Sequence, residues 1–239
     1  MRVLVTRPLK SAERTAGRLR EMGHEPLLLP LAEPKHETAR ALQAMAETDG
    51  AIAMTSAEAV RTFHGHTDDL APHLDRPLFA VGEATAEEAT AAGFRRVTAS
   101  SGNGRDLAEQ IAGHGFDRAL YLAGAPRAAT FEHRADELGL RLTVVEAYAM
   151  RPLAISASTI RDLFARRSPE IVLFYSRQTA QWFFDQPEIA AHLDRLANTR
   201  LLALAEPVAA AVPKALRKNI VIAAMPDEQS LLSLLQIAH

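Results

Sequence analysis

The sequence predicts two α/β domains, each built on a parallel sheet. Three observations carry this. Short β-branched or leucine-rich runs alternate with alanine-rich amphipathic segments. Most of the runs are apolar throughout, as expected of strands covered by helices on both faces. Two kinds of strand–helix unit each occur twice along the chain.

The elements follow in order. Arg2–Thr6 is the first strand. A helix over Ser11–Met22 places Ala12, Ala16 and Leu19 on one face and stops before Gly23, a residue suited to the left-handed turn after a helix. Glu25–Pro30 reads as the second strand, and Leu31–His36, with a proline, as a hinge. Strands at Ala51–Met54 and Leu78–Val81 precede a helix at Ala84–Ala92 that ends at Gly93. Arg95–Thr98 and Ala119–Leu122 are strands, and the helix Thr130–Leu138 ends at Gly139. Arg141–Tyr148 is a longer strand, leading into a second proline-containing hinge at Ala149–Ile155. Ile171–Tyr175, Arg200–Leu204 and Asn219–Ala223 complete the set. Strands alternating with helices imply right-handed crossovers.

The internal repeat is the most informative feature. Ala51–Val60, Phe79–Ala86 and Asp106-Leu107 match Ile171–Ala180, Leu202–Ala209 and Ser230-Leu231. Ser56 to Ser176, Gly82 to Ala205 and Leu107 to Leu231 are separated by 120, 123 and 124 residues. The other unit type runs from Val5–Pro8 through Gly23 to Leu27–Leu29, and again from Tyr121–Gly124 through Gly139 to Thr143–Val145. The units can pair in two ways. Sequential pairing puts a boundary near Gly113–Asp117. The alternative is a contiguous central domain inside a discontinuous outer one, which the two proline hinges favour.

Composition narrows the function. At 239 residues, 48% apolar and 23% charged, the chain is long enough for one large or two small globular domains. Its 27 basic and 29 acidic residues leave a net charge of −2, which is no nucleic-acid footprint. The absence of cysteine excludes disulfides, thiolate metal sites, iron–sulfur clusters and thiol nucleophiles. No run approaches the ~18 apolar residues of a membrane span, and Met1–Lys10 has no signal-peptide core. The expectation is a cytoplasmic protein.

The candidate ligand groups sit where strands become helices: Thr6-Arg7, Thr55-Ser56, Gly82 to Thr85, Gly124 to Arg127, and Ser176. In an open parallel sheet ligands bind beyond the carboxyl ends of the strands, where free N–H groups suit carboxylates or phosphates. Helix capping is the plainer reading of any one of them; their recurrence across two domains favours a shared ligand cleft. Arg7, Arg14, Arg127, Arg151 and Arg177 lie near the same ends and suit a polyanion. Ser100–Gly104 lacks the third glycine of a dinucleotide loop and reads as a loop with a helix cap. His64, His66 and His73, with Asp68 and Asp69, read as solvated loop. No H-E-x-x-H, P-loop or G-x-S-x-G occurs, and Thr6-Arg7 replaces the acidic residues of a phospho-receiver. Trp182, Phe183 and Phe184 read as packing, Glu83 and Glu206 as first-turn carboxylates. Tyr148 ends its strand with a hydroxyl that could face the cleft.

The ordered set Val3–Pro8, Met54–Val60 with Phe63, Ala80–Ala86, Gly104–Leu107, Leu122–Gly124 with Arg127, Val144–Tyr148 and Phe174–Ser176 resembles the uroporphyrinogen-III synthases. The resemblance spans nearly the whole chain. It implies two flavodoxin-like domains with parallel sheets, residues 1–34 plus 152–239 and residues 35–151, joined by a two-stranded connector. It implies a lyase, without cofactor or metal, that closes hydroxymethylbilane to uroporphyrinogen III with loss of water and inversion of ring D through a spiro intermediate. By family match Tyr148 assists the departing hydroxyl. Thr85 and Ser176 match other cleft hydroxyls, and Ser56 with Gly82 match backbone-amide positions. Thr55, Gly124, Arg7, Arg127 and Arg177 complete the expected substrate contacts. Ala205, Val208 and Ala123 stand where the family often has glycine, threonine and arginine, which shifts binding toward the central domain, Arg7 and Arg177. A monomer acting on a small molecule, with neither nucleic acid nor membrane, is expected. The rival reading is a two-domain protein that binds a small anion without chemistry.

Overall fold

The computed structural model describes residues 1–100 and 102–236. Its strands are β1 (Arg2–Val5), β2 (Glu25–Leu28), β3 (Ala32–His36), β4 (Ala51–Met54), β5 (Leu78–Val81), β6 (Val97–Ser100), β7 (Arg118–Ala125), β8 (Arg141–Pro152), β9 (Ile171–Phe174), β10 (Arg200–Ala203) and β11 (Ile220–Ile222). They form two sheets, in the orders β11-β10-β9-β1-β2 and β3-β8-β7-β4-β5-β6. The β1–β2, β1–β9, β9–β10 and β10–β11 ladders of the first sheet are parallel, as are β4–β5, β4–β7, β5–β6 and β7–β8 of the second.

The chain divides into two compact units. The outer unit comprises Met1–Glu33 and Arg151–His239, and the central unit Pro34–Met150. β3 and β8 are neighbours in the six-stranded sheet, and each crosses a unit boundary, so they form the two-stranded connection.

Each sheet is buried on both faces, which is why its strands read as unbroken apolar runs. In the central unit Ile52, Met54, Leu78, Leu120 and Leu122 pack on one side against Met45, Val60, Phe63 and Ala89. Ala51, Phe79, Tyr121 and Ala123 pack on the other against Leu107, Ile111, Phe131 and Ala135. In the outer unit Leu4, Val172, Phe174 and Leu201 meet Ile160, Phe183 and Phe184, so those aromatics are core, with Trp182 half-buried beside them. Val3, Val5 and Leu173 meet Leu19, Leu231 and Leu232.

The helices expected at Ser11–Met22, Ala84–Ala92 and Thr130–Leu138 occupy Leu9–Glu21, Glu83–Ala91 and Thr130–Glu137. The first starts early because Pro8, whose fixed φ suits a helix start, precedes Leu9. Three strand expectations are corrected. The first hinge is the strand β3, with Pro34 tolerated because β3 is an edge strand. The strand expected at Arg95–Thr98 begins two residues later, after the Phe94 anchor, and β8 runs through the second hinge as far as Pro152. In the Ser100–Gly104 segment Ser101 lies outside the described residues. Asn103 caps helix Gly104–Gly113, accepting from the Arg105 N–H at 2.8 Å while its own N–H donates to Asp106 at 2.6 Å.

Candidate functional site

The central unit gathers its chemistry at the carboxyl ends of β4, β5, β7 and β8. Ladder pairing sets Ala123 opposite Glu146 but Gly124 opposite Tyr148, so β8 carries a bulge at Ala147. Bulges re-aim side chains next to functional sites, and this one acts on Tyr148. Strict alternation would send Tyr148 to the same side as exposed Glu146. With the bulge, Val145, Ala147 and Tyr148 all enter one core. The bulged Ala147 carbonyl is satisfied by the Glu37 N–H at 2.8 Å and the Thr62 hydroxyl at 3.3 Å.

Gly124 is the surface on which the Tyr148 ring rests. A Cβ there would lie 2.5 Å from Tyr148 Cζ and 2.9 Å from Cε1, and closer still to the hydroxyl. The phenol is 8% exposed and lies near the Ser56 side chain. Burial raises its pKa, and the nearby Ser56 hydroxyl only partly opposes it while Glu58 adds to it. Tyr148 is therefore a neutral proton donor throughout the physiological range.

Ser56 caps helix Ala57–Arg61, its oxygen accepting from the Glu58 N–H at 3.2 Å. That places the Ser56 hydroxyl at the helix start, near Tyr148. Thr55 points its hydroxyl toward Tyr121, 3.0 Å away. Gly82 precedes helix Glu83–Ala91 at φ +76°, a conformation glycine adopts without strain. Thr85, 4% exposed, follows in the first turn, and its N–H donates to the Gly82 carbonyl at 3.1 Å. Exposed Glu83 and Glu206 occupy first turns of helices.

Arg127 is not a free cation. It bonds Glu132 at 2.9 Å and Glu146 at 3.1 Å, 5.9 Å from the Tyr121 ring centroid. Beside Tyr148 runs a chain of polar contacts, with Arg61 ion pairs at its centre, that has no sequence-level signal. His36 bonds Glu58 at 2.8 Å, Arg61 bonds Glu58 at 2.9 Å and Glu88 at 2.8 Å, and His64 bonds Glu88 at 3.1 Å. Arg61 is 7% exposed, so this network braces the site-bearing helix from inside.

The expected contacts of the outer unit separate in their surroundings. Ser176 caps helix Arg177–Phe184, accepting from the Thr179 N–H at 3.1 Å. Arg177 is exposed and has no ion-pair partner among the described residues. Arg7 is held: Glu228 lies 2.9 Å away, Thr15 at 3.2 Å, and the guanidinium sits 4.0 Å over the Tyr175 ring. Arg14 is half-buried, while Arg151 is exposed at the end of β8.

Among the described residues no group of three His, Asp or Glu is placed to hold a metal, and no helix is long and apolar enough to cross a membrane. Sequence reasoning named Tyr148 and Gly124 separately and missed that the Tyr148 ring rests on Gly124. It missed Tyr121, Glu58, Arg61, Tyr175 and Glu228. The repeated strand-end position could have drawn attention to Tyr175, one residue before Ser176.

Comparison with known proteins follows from this geometry. Residues 13–233 match the family model described as uroporphyrinogen-III synthase HemD. Two solved structures share the fold: a uroporphyrinogen-III synthetase from Helicobacter pylori and a mutant uroporphyrinogen III synthase from Thermus thermophilus. The first aligns with TM-score 0.62 and 16% identity over 99% of both chains. The second gives 0.55 and 18%, over 99% of this chain and 96% of the other. No curated sequence gives a significant match.

Proposed function

The chain belongs to the uroporphyrinogen-III synthase family, and from that premise we propose which of its residues carry the reaction. Members close hydroxymethylbilane, a linear tetrapyrrole, to uroporphyrinogen III, and that is the activity of this chain. We read the chemistry as a cofactor-free loss of water by a protein acting as a monomer.

The observation that carries the assignment of roles is the wedge of Gly124, Tyr148 and Ser56 at the carboxyl end of the central sheet. The first chemical demand is departure of the substrate hydroxyl from its carbon. A neutral phenol meets it by donating a hydrogen bond to the leaving oxygen. Tyr148 has a proton to give because burial keeps the phenol neutral. The second demand is orientation. Closure without inversion of ring D is the uncatalysed course, so the substrate must be held with the correct carbon facing the cation. Effective molarities from such positioning can reach about 10⁵ M or more. The Thr85 hydroxyl and the first-turn N–H groups of Glu83 and Ala84 suit substrate carboxylates in the central unit, since the Gly82 N–H is already bonded to the Ser100 carbonyl. Thr55 adds a hydroxyl whose direction Tyr121 sets. In the outer unit exposed Arg177 is an unpaired cation among the described residues, and Ser176 offers the hydroxyl oxygen beside it.

The test generates hydroxymethylbilane in situ, adds the purified protein and separates the oxidised porphyrin isomers. Isomer III should predominate. Isomer I alone, formed at the rate without protein, would reject the synthase reading and leave a protein that binds the anion without chemistry. Tyr148→Phe should lower kcat about 10²-fold with KM little changed, the usual contribution of one positioned proton donor. Full turnover by that variant would remove Tyr148 from the mechanism.

A further inference from the structure

The outer unit contains a second polar cluster that the roles above leave unused. Glu228 opens the short helix Glu228–Ser233 and accepts four hydrogen bonds on one carboxylate. Its Oε1 accepts from Arg7 at 2.9 Å, from the Thr15 hydroxyl at 2.6 Å and from the Tyr175 hydroxyl at 2.9 Å. Its Oε2 accepts from Arg18 at 2.6 Å. The donors come from the ends of β1 and β9 and from helix Leu9–Glu21. Two of them have supports besides the acceptor: Thr15 is fully buried, and the Arg7 guanidinium sits 4.0 Å over the Tyr175 ring.

We propose that Arg7, Thr15 and Tyr175, with Arg18, form a carboxylate-binding site, that Glu228 fills it at rest, and that a substrate carboxylate takes its place. This rests on the synthase reading for the identity of the ligand, though not for the existence of the site. Three observations support exchange over a simple staple. The helix has other anchors: Asp227 caps it by accepting from the Ser230 N–H at 2.7 Å, and Leu231 and Leu232 are buried. Residues 224–227 and 229 are exposed, so water borders the segment that carries the mostly buried Glu228 side chain. Arg7 and Arg18 also bring two positive charges to one carboxylate, which leaves the site attractive to a second anion. The occupying group is an alkyl carboxylate, the chemistry of the acid side chains on a linear tetrapyrrole. Glu228 keeps the half-buried Arg7 cation compensated while the site is free of ligand and competes with the ligand for it.

The test has two arms. Thermal unfolding is followed for wild type, Glu228→Ala and Arg7→Ala/Glu228→Ala in sodium propionate, against sodium chloride at equal ionic strength. Propionate should raise the midpoint of Glu228→Ala saturably and leave the other two at their chloride values. A Glu228→Ala midpoint no higher in propionate than in chloride overturns the site. The second arm measures KM for hydroxymethylbilane. Glu228→Ala should lower it several-fold because the internal competitor is gone. A KM equal to or above that of wild type overturns the exchange. Glu228→Gln keeps the side-chain volume and carries this second arm if Glu228→Ala does not fold. Failure of the wild type to form isomer III would reject the synthase reading, while the propionate arm is read independently of it.

Discussion

Replacing Gly124 by alanine tests the packing on which the catalytic assignment depends. The backbone there is not in the left-handed region, so alanine adopts it without strain. In an open position the change would even stabilise by about 0.4–1 kcal/mol through the unfolded chain. Here the new methyl would stand 2.5 Å from Tyr148 Cζ, whereas carbons rest about 3.5 Å apart. The ring must therefore retreat by about 1 Å. Overpacking of that kind costs about 1–3 kcal/mol. A displacement of that size at a reacting group can cost about 10²-fold in rate. The assay is a double-mutant cycle by urea unfolding, with turnover measured on the same samples. In a Tyr148→Phe background the penalty of Gly124→Ala should persist, because Cζ and Cε1 remain. In a Tyr148→Val background, which removes those atoms and suits a strand, it should vanish. An equal penalty in the valine background would refute the contact and with it the wedge.

Other perturbations have defined outcomes. Arg61→Leu leaves Glu58 and Glu88 facing each other without their cation. It should destabilise the central unit by about 3–5 kcal/mol, which the urea midpoint reads. Burial alone would raise the Glu228 pKa, but Thr15, Arg7, Tyr175 and Arg18 together hold it below the ordinary carboxylate value. Its stabilisation should be complete above the unfolded pKa of about 4.3 and disappear as pH falls through the lower folded value. An acid titration of wild type against Glu228→Gln should show the two curves converging there. Ser176→Ala removes a helix cap and should cost about 1 kcal/mol in a thermal or urea transition.

What was legible in the sequence is what local chemistry encodes. Continuous apolar runs marked most of the strands, Gly23, Gly93 and Gly139 marked helix ends, and the repeat marked the carboxyl-end positions of both units. β3 was hidden because Pro34 looks like a breaker, and only the sheet order reveals that it sits at an edge. Tyr148 and Gly124 could each be named, but their contact depends on one extra residue in β8. A register shift leaves no local signature, since Ala147 is an ordinary strand residue. The partner of Arg7 was hidden for another reason. Glu228 lies 221 residues away, and nothing in its own neighbourhood separates it from a solvated first-turn carboxylate.

The chain has three tyrosines, and their partners decide which of them can act as the acid. All three have pKa values raised chiefly by burial, so all are neutral and acidity alone does not choose. Tyr175 donates its proton to the Glu228 carboxylate, so using it would require breaking a charge-assisted bond. Tyr121 shares one hydrogen bond with Thr55 and lies in the core on the other face of its sheet from Tyr148. Among the described residues the Tyr148 hydroxyl is bonded to no carboxylate, and the nearby Ser56 oxygen is already engaged by the Glu58 N–H. Its phenol proton is left uncommitted. Tyr148→Phe should therefore reduce kcat most. Tyr121→Phe should act by a few-fold through Thr55, and Tyr175→Phe should appear in KM and stability while sparing kcat. A Tyr175→Phe variant that lost kcat as severely as Tyr148→Phe, at normal stability, would move the acid to the outer unit and overturn this assignment.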